Sequence, residues 1–189
     1  MSNLWITSDT HFGHFNIIAS CNRPFKNLES MDKALINNWN SRVKPKDQII
    51  IVGDFMFHNS SSTKGNGERK TPYDYIDILN GEKIFIRGNH DKSNFPSIKI
   101  TGLEINIADK LIWCCHRQQE ARYEYEYNFV GHSHEKWKFK IINDGIKNIY
   151  LYNVGVDVNK FMPIRVIDIL NFIDKNKNKK EYYYEKNIS

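Results

Sequence analysis

Five short polar clusters, far apart in the chain, carry side chains able to ligate metals. They are Asp9-Thr10-His11, Gly53-Asp54, Gly88-Asn89-His90-Asp91, a lone His116, and Gly131-His132-Ser133-His134. Five of the seven histidines lie in these clusters. Hard oxygen ligands combined with imidazoles suit divalent first-row ions. Two such ions held close together favour in-line attack of a metal-bound hydroxide on phosphorus. The residue types therefore point to two-metal hydrolysis of a phosphate ester, provided that the fold brings the clusters to one place.

The elements between the clusters supply that condition. Leu4 to Ser8, Gln48 to Val52 and Lys83 to Arg87 are short, mostly apolar runs. Such runs suit strands buried on both faces, as in a parallel sheet. Met31, Leu35, Trp39 and Val43 recur every four residues, with Asn27 as an N-cap and Pro45 beyond the end, so a helix joins the first two strands. A shorter helix over Tyr73 to Leu79, beginning near Pro72, joins the second and third. Parallel strands joined by crossovers end at one edge of the sheet, and ligands bind outside those carboxyl ends. Asp9 and His11, then Asp54, then Asn89 and His90 follow the three strands, so topology predicts their convergence.

The second half reads differently. Leu103 to Ile107, Lys110 to Cys115, Asn128 to Gly131, Lys136 to Ile142 and Lys147 to Asn153 are short strand candidates, with a hairpin turn at Asn143-Asp144-Gly145. They suggest a largely antiparallel second sheet packed on the first. Met162-Pro163 opens a last helix, with Pro163 at its first position and Ile164, Ile167, Ile169, Leu170 and Ile173 on the buried face. Asp9 and His11, like His132 and His134, are two apart and share a face if the backbone is extended. Glycines at 53, 88 and 131 allow close backbone approach or sharp turning.

Composition bounds the rest. At 189 residues the chain reads as one domain over 1–175 with a basic, partly flexible tail over 176–189. The net charge of +5 favours anionic partners such as nucleotides or nucleic acid, although much of the excess lies in the tail. No apolar run reaches the roughly 20 residues of a membrane span, and no signal peptide is visible. Three cysteines make no disulfide framework, and Cys114 and Cys115 read as buried strand residues, so a reducing cytoplasm is expected. No membrane and no obligate protein partner is called for.

The ordered set D-x-H, G-D, G-N-H-D, H and G-H-x-H resembles the calcineurin-like metallophosphoesterases. Thr7 to His14, Asn22-Arg23-Pro24-Phe25 and Asn153 to Asp157 look like the small single-domain bacterial and phage branch. The resemblance implies an α/β fold, a two-sheet mixed β sandwich flanked by helices. It implies that Asp9, His11 and His134 hold one divalent ion, that Asn89, His116 and His132 hold the other, and that Asp54 bridges both. The cofactor it implies is a pair of ions, Mn²⁺ first, with Fe, Zn, Ni or Mg as alternatives. A hydroxide between them would be the nucleophile. His90 would stabilise or protonate the leaving oxygen, with Asp91 holding its ring. The activity implied is a phosphodiesterase, with a phosphomonoesterase on a nucleotide or sugar phosphate, or a non-catalytic metal-binding interaction module, as alternatives. His116 is followed by Arg-Gln-Gln, where many relatives have a proline nearby. The later Asp and Asp-Arg-Gly of the Ser/Thr protein phosphatases are missing after Asp54.

Further side chains complete the expected site. Arg23 and Arg87 are candidates for holding phosphate oxygens, an ion pair or surface charge being the other reading. His14 is a candidate for lining the site. Residues 55–71 read as a loop that either folds over substrate, with Lys64, Arg69 and Lys70 meeting its charge, or is a plain surface insertion. Tyr123, Tyr125 and Tyr127 alternate with Glu124 and Glu126 and suggest an exposed strand, able to stack bases or simply to pack.

Overall fold

The computed structural model describes residues 2–57, 70–179 and 182–185. In chain order the elements are β1 (Leu4–Thr7), α1 (Phe15–Ser20), α2 (Leu28–Arg42), β2 (Gln48–Val52), α3 (Pro72–Ile76), β3 (Glu82–Ile86), α4 (Asp91–Asn94), β4 (Gly102–Ile107), β5 (Lys110–Cys115), β6 (Tyr127–Val130), β7 (Phe139–Asn143), β8 (Asn148–Asn153), β9 (Ile164–Arg165), α5 (Val166–Asn176) and β10 (Tyr183–Glu185). They build a four-stranded sheet, β3-β2-β1-β9, and a six-stranded sheet, β10-β7-β8-β6-β5-β4. The architecture is the expected two-sheet mixed α/β sandwich with flanking helices.

The alternation of side chains on two strands explains the layers. On β1 and β2, Ile6, Ile50 and Val52 face inward and meet Ile112, Cys114, Phe129 and Tyr152 of the second sheet. Trp5, Ile49 and Ile51 face outward and meet Met31, Leu35, Trp39 and Val43 of α2 and its end. Both faces of the first sheet are thus covered, which is why its strands read as unbroken apolar runs. Cys114 and Cys115 are buried strand residues, as read. Helix α2 starts where expected: the Asn27 side chain accepts from Ser30 N at 2.9 Å, and Ser30 Oγ accepts from Asn27 N at 3.3 Å. Such a cap stabilises a helix by about 1 kcal/mol.

β1, β2 and β3 are parallel neighbours, with Ile6 opposite Ile50 and Ile50 opposite Ile84. The second sheet is not largely antiparallel. β4 with β5 and β7 with β8 are antiparallel, but β5 with β6 and β6 with β8 are parallel. The antiparallel reading fails because β6 and β8 are joined through the intervening β7, which lies on the far side of β8. The hairpin turn stands: Asp144 Oδ1 accepts from Ile146 N and Lys147 N, both at 2.9 Å, and Gly145 has φ +92°.

Three local readings change. Pro163 does not open the last helix; Ile164 and Arg165 first pair antiparallel with Ile6 and Trp5, and α5 begins at Val166. Its buried face is Val166, Ile169, Leu170 and Ile173, at positions i, i+3, i+4 and i+7, which leaves Ile167 exposed. Tyr123 and Tyr125 belong to a loop before β6, held by Asn128. The Asn128 amide accepts from Arg122 N at 2.9 Å and donates to the Arg122 and Tyr125 carbonyls. Part of the tail segment is an edge strand: Tyr183 to Glu185 run parallel to Ile141 to Asn143. No helix among the described residues is long and apolar enough to cross a membrane. His58, Lys64, Arg69 and the centre of the 55–71 loop lie outside the described residues.

Candidate metal centre

The ligand candidates follow the carboxyl ends of parallel strands in both sheets. Asp9 and His11 follow β1, Asp54 follows β2, Asn89 and His90 follow β3, His116 follows β5, and His132 and His134 follow β6. The two sheets are tied together at this edge: Ser8 N donates to Val154 O at 3.2 Å, and Val156 N donates to Ser8 O at 3.1 Å. The side chains form two groups. One is Asp9, His11 and His134; the other is Asp54, His116 and His132; within each, the ligand atoms lie within 4.8 Å of one another.

Asp54 stands between them. Its Oδ2 is 3.2 Å from His116 Nε2 in one group and 3.7 Å from His11 Nε2 in the other. Its Oδ1 accepts from His90 N at 2.8 Å. Asn89 Oδ1 lies 3.1 Å from His116 Nε2, so the amide joins the second group. Asp54 Oδ2 and His11 Nε2 are buried without a hydrogen-bond partner. Buried polar atoms are rarely left so. A carboxylate oxygen and an imidazole nitrogen left over beside each other fit a cation between them, and the donor set of carboxylates, imidazoles and an amide suits the divalent ions expected.

The extended-backbone explanation for the residue pairs does not hold. Asp9 (φ 56°), His11 (φ 50°), Asp54 (φ 52°), His132 (φ 64°) and His134 (φ 45°) are all left-handed. Each such residue costs of order 1–3 kcal/mol, and the surrounding structure must fix it. That structure is visible. Asp9 N donates to Gly53 O at 3.0 Å and His11 N to Asp54 O at 3.1 Å, so the two turns pair beyond the ends of β1 and β2. Ser8 Oγ donates to Asp9 Oδ2 at 2.6 Å, and His132 N donates to the same oxygen at 2.9 Å. The glycine at 88 is required by crowding: a Cβ there would lie 2.1 Å from Asp54 Oδ1.

Asp91 has a role other than the one expected. Its carboxylate accepts from Gly88 N (2.8 Å), Asp54 N (2.8 Å) and Phe55 N (3.0 Å). It clamps the Asp54 turn onto the Gly88 turn rather than holding the His90 ring. The reason is reach: Asp91 is fully buried at the start of α4, among backbone donors. For Arg23 the ion-pair reading is the one the contacts fit. Its guanidinium is buried and donates to Asp157 and to the Asp9 and Thr10 carbonyls, so its donors are committed to the protein's own acceptors. Arg87 is half-buried beyond β3, with its backbone N–H on Ile100 O at 2.7 Å. His14 lines the site: its Nδ1 lies 3.2 Å from His11 Nδ1 and its ring stacks on Phe57 with centroids 4.2 Å apart. The His90 ring is 5.3 Å from His11 and 5.2 Å from Phe57.

A family model described as calcineurin-like phosphoesterase matches residues 2–185. The chain belongs to this family. Among its relatives is an uncharacterized protein of Methanocaldococcus jannaschii, 34% identical over 186 residues that cover 94% of each chain. The gene 66 protein of a mycobacteriophage is 37% identical over 91 residues, 48% of this chain and 41% of that one. A solved protein of unknown function from Aquifex aeolicus has a TM-score of 0.65 at 25% identity, covering 92% of this chain and 100% of that one. Membership supports a hydrolase acting on phosphate esters.

In this calcineurin-like site the charges are coupled. Burial disfavours the imidazolium of His134, yet the hydrogen bond to Asp157 holds its pKa up at about 10. Burial likewise opposes the charge on His116, and the Asp54 and Asp9 carboxylates raise it to about 9. Asp54 is buried too, but His116, His11 and the His90 N–H keep it below the usual carboxylate range. His11, buried beside the cationic Arg23, is pushed well below the usual histidine value despite Asp54. Burial, with His90 nearby, brings His14 down to about 4. Asp157 had no assigned role in the sequence. It closes the Asn153 to Asp157 block that carries the resemblance, but only the fold brings it to His134.

Proposed function

We propose that this member of the family is a phosphodiesterase that works with two divalent ions, Mn²⁺ first among the candidates. Asp9, His11 and His134 would hold one, Asn89, His116 and His132 the other, and Asp54 both. The observation that carries this reading is the buried Asp54 Oδ2, flanked by one imidazole from each group at 3.2 and 3.7 Å. When bound, such ions supply Lewis acidity toward a phosphoryl oxygen and lower the pKa of coordinated water.

The protein's own groups do the remaining work. Left-handed turns hold the ligands before any ion arrives, so little reorganisation is needed. His116 donates Nδ1–H to the Val52 carbonyl at 2.9 Å, which fixes its tautomer and turns Nε2 inward. His90, at the rim and half-buried, would protonate or stabilise the leaving oxygen. Its backbone N–H holds Asp54 in place at the same time. Arg87 and His14 are the substrate contacts of this reading, and Arg23 is not one. The diester preference follows from the resemblance to the small members of the family. The three cysteines are free thiols, which supports a cytoplasmic setting.

The test is hydrolysis of bis-p-nitrophenyl phosphate beside p-nitrophenyl phosphate, on chelator-stripped protein with Mn²⁺ restored and Asp54→Asn as control. Metal-dependent diester cleavage lost in the variant is the expected result. Monoester cleavage alone would favour a phosphatase, and activity that survives chelation or Asp54→Asn would overturn the metal reading.

A further inference from the structure

We propose that Asp157 and Arg23 are positioning residues for one of the two ion sites. Asp157 sets the tautomer and direction of the His134 imidazole, and Arg23 locks Asp157 to the Asp9 turn. The inference rests on the preceding reading of the site.

The geometry is specific. Asp157 Oδ2 lies 3.0 Å from His134 Nδ1. A carboxylate is an acceptor, so Nδ1 keeps its hydrogen, and when the ring is neutral the lone pair is at Nε2, where an ion can take it. The same carboxylate is gripped at both oxygens by Arg23, with Nε to Oδ1 at 2.8 Å and Nη2 to Oδ2 at 3.0 Å. Arg23 then donates from Nη2 to Asp9 O at 2.7 Å and from Nη1 to Thr10 O at 3.0 Å. The two side chains are 0% and 2% exposed, so water does not share these bonds.

One guanidinium therefore joins two of the three ligands in this group. It holds the carbonyl of Asp9, whose backbone is left-handed, and through Asp157 it orients His134. Asn153 adds a further tie by donating to His134 O at 2.9 Å. A lysine at position 23 could not grip both carboxylate oxygens and two carbonyls at once, because its ammonium is a point donor. The other group, Asp54, His116 and His132, has no member bonded to Asp157 or Arg23. The proposal thus predicts an effect on one ion and not on the other.

The experiment is calorimetric titration of chelator-stripped wild type and Asp157→Asn with Mn²⁺, with circular dichroism as the fold check. The asparagine keeps the shape and one acceptor but loses the charge and the two-point grip of Arg23. Two ions are expected in wild type; in the variant, one binds about 10- to 100-fold more weakly, the usual cost of removing an outer partner of a ligating histidine, and the other is unchanged. Both affinities unchanged in a folded variant would overturn the proposal alone. Wild type that takes up no ion would overturn both this inference and the reading it rests on. Should the variant not fold, ring ¹⁵N spectra of Zn²⁺-loaded wild type decide. His134 protonated at Nδ1 supports the proposal, and His134 protonated at Nε2 overturns it.

Discussion

Replacing Asp91 by asparagine separates the two roles this residue could have. The carboxylate is fully buried and accepts three backbone N–H groups: Gly88 and Asp54 at Oδ2, Phe55 at Oδ1. Asparagine has the same shape but only one accepting oxygen. With its carbonyl on Gly88 and Asp54, its NH₂ faces the Phe55 N–H, and both donors lose their partner in a site closed to water. A buried donor left unpaired costs about 1–3 kcal/mol. For a chain of this size, each kcal/mol shifts the melting temperature by about 2–4 °C. With two donors unpaired, thermal unfolding of the metal-free protein is thus expected to fall by roughly 4–24 °C. Asp54, held at φ 52° by this clamp, is then free to relax, so uptake of Mn²⁺ weakens as well. Unchanged stability and metal uptake, with a loss of turnover equal to that of His90→Ala, would refute the clamp. That outcome would restore the view that Asp91 serves the His90 ring.

Gly88→Ala is expected to weaken metal uptake, because the new methyl would sit 2.1 Å from Asp54 Oδ1, which the His90 N–H holds in place, and 2.4 Å from the backbone Asp54 N. Overpacking of this kind costs about 1–3 kcal/mol, visible in the same melting assay, and a variant with native affinity would refute the crowding argument. Metal uptake is expected to release protons near neutral pH. In the metal-free protein His116 and His134 titrate at about 9 and about 10, above the ordinary histidine value, so both are protonated at pH 7 and must give up a proton at Nε2 to ligate. The affinity for Mn²⁺ should therefore climb as pH rises through neutrality and level off only beyond those values. Titration in two buffers of different ionisation heat measures the release, and identical apparent heats would count against it.

The parts of the fold legible in the sequence are those set by local chemistry. β2 is found where the run Gln48 to Val52 begins and ends. α2 is found through its cap at Asn27 and its four-residue recurrence. Convergence of Asp9, Asp54 and Asn89 followed from a rule about parallel strands, and it needed no knowledge of any side-chain contact. What escaped was set by pairing between distant segments. Nothing in Lys110 to Asn153 announces that β5, β6 and β8 are parallel, because strand direction is decided by which neighbours meet, and β7 intervenes in sequence but not in space.

That hidden fact completes the site. Had the second sheet been largely antiparallel, the loops after β5, β6 and β8 would not have shared an edge. His116, His132 and Asp157 would then not have faced the ligands of the first sheet. The same rule that predicted half of the centre therefore governs the other half. Arg23 and Asp91 serve the backbone rather than direct chemistry for a related reason. An arginine near a phosphate site and an acid beside a histidine both suggest direct chemistry. Here each instead satisfies buried backbone groups, at Asp9 and Thr10 for one and at Asp54, Phe55 and Gly88 for the other. Left-handed ligands make such groups necessary. A turn that aims a carboxylate or an imidazole inward also strips its own carbonyl or N–H of a regular partner, and charged side chains behind the ligands take their place.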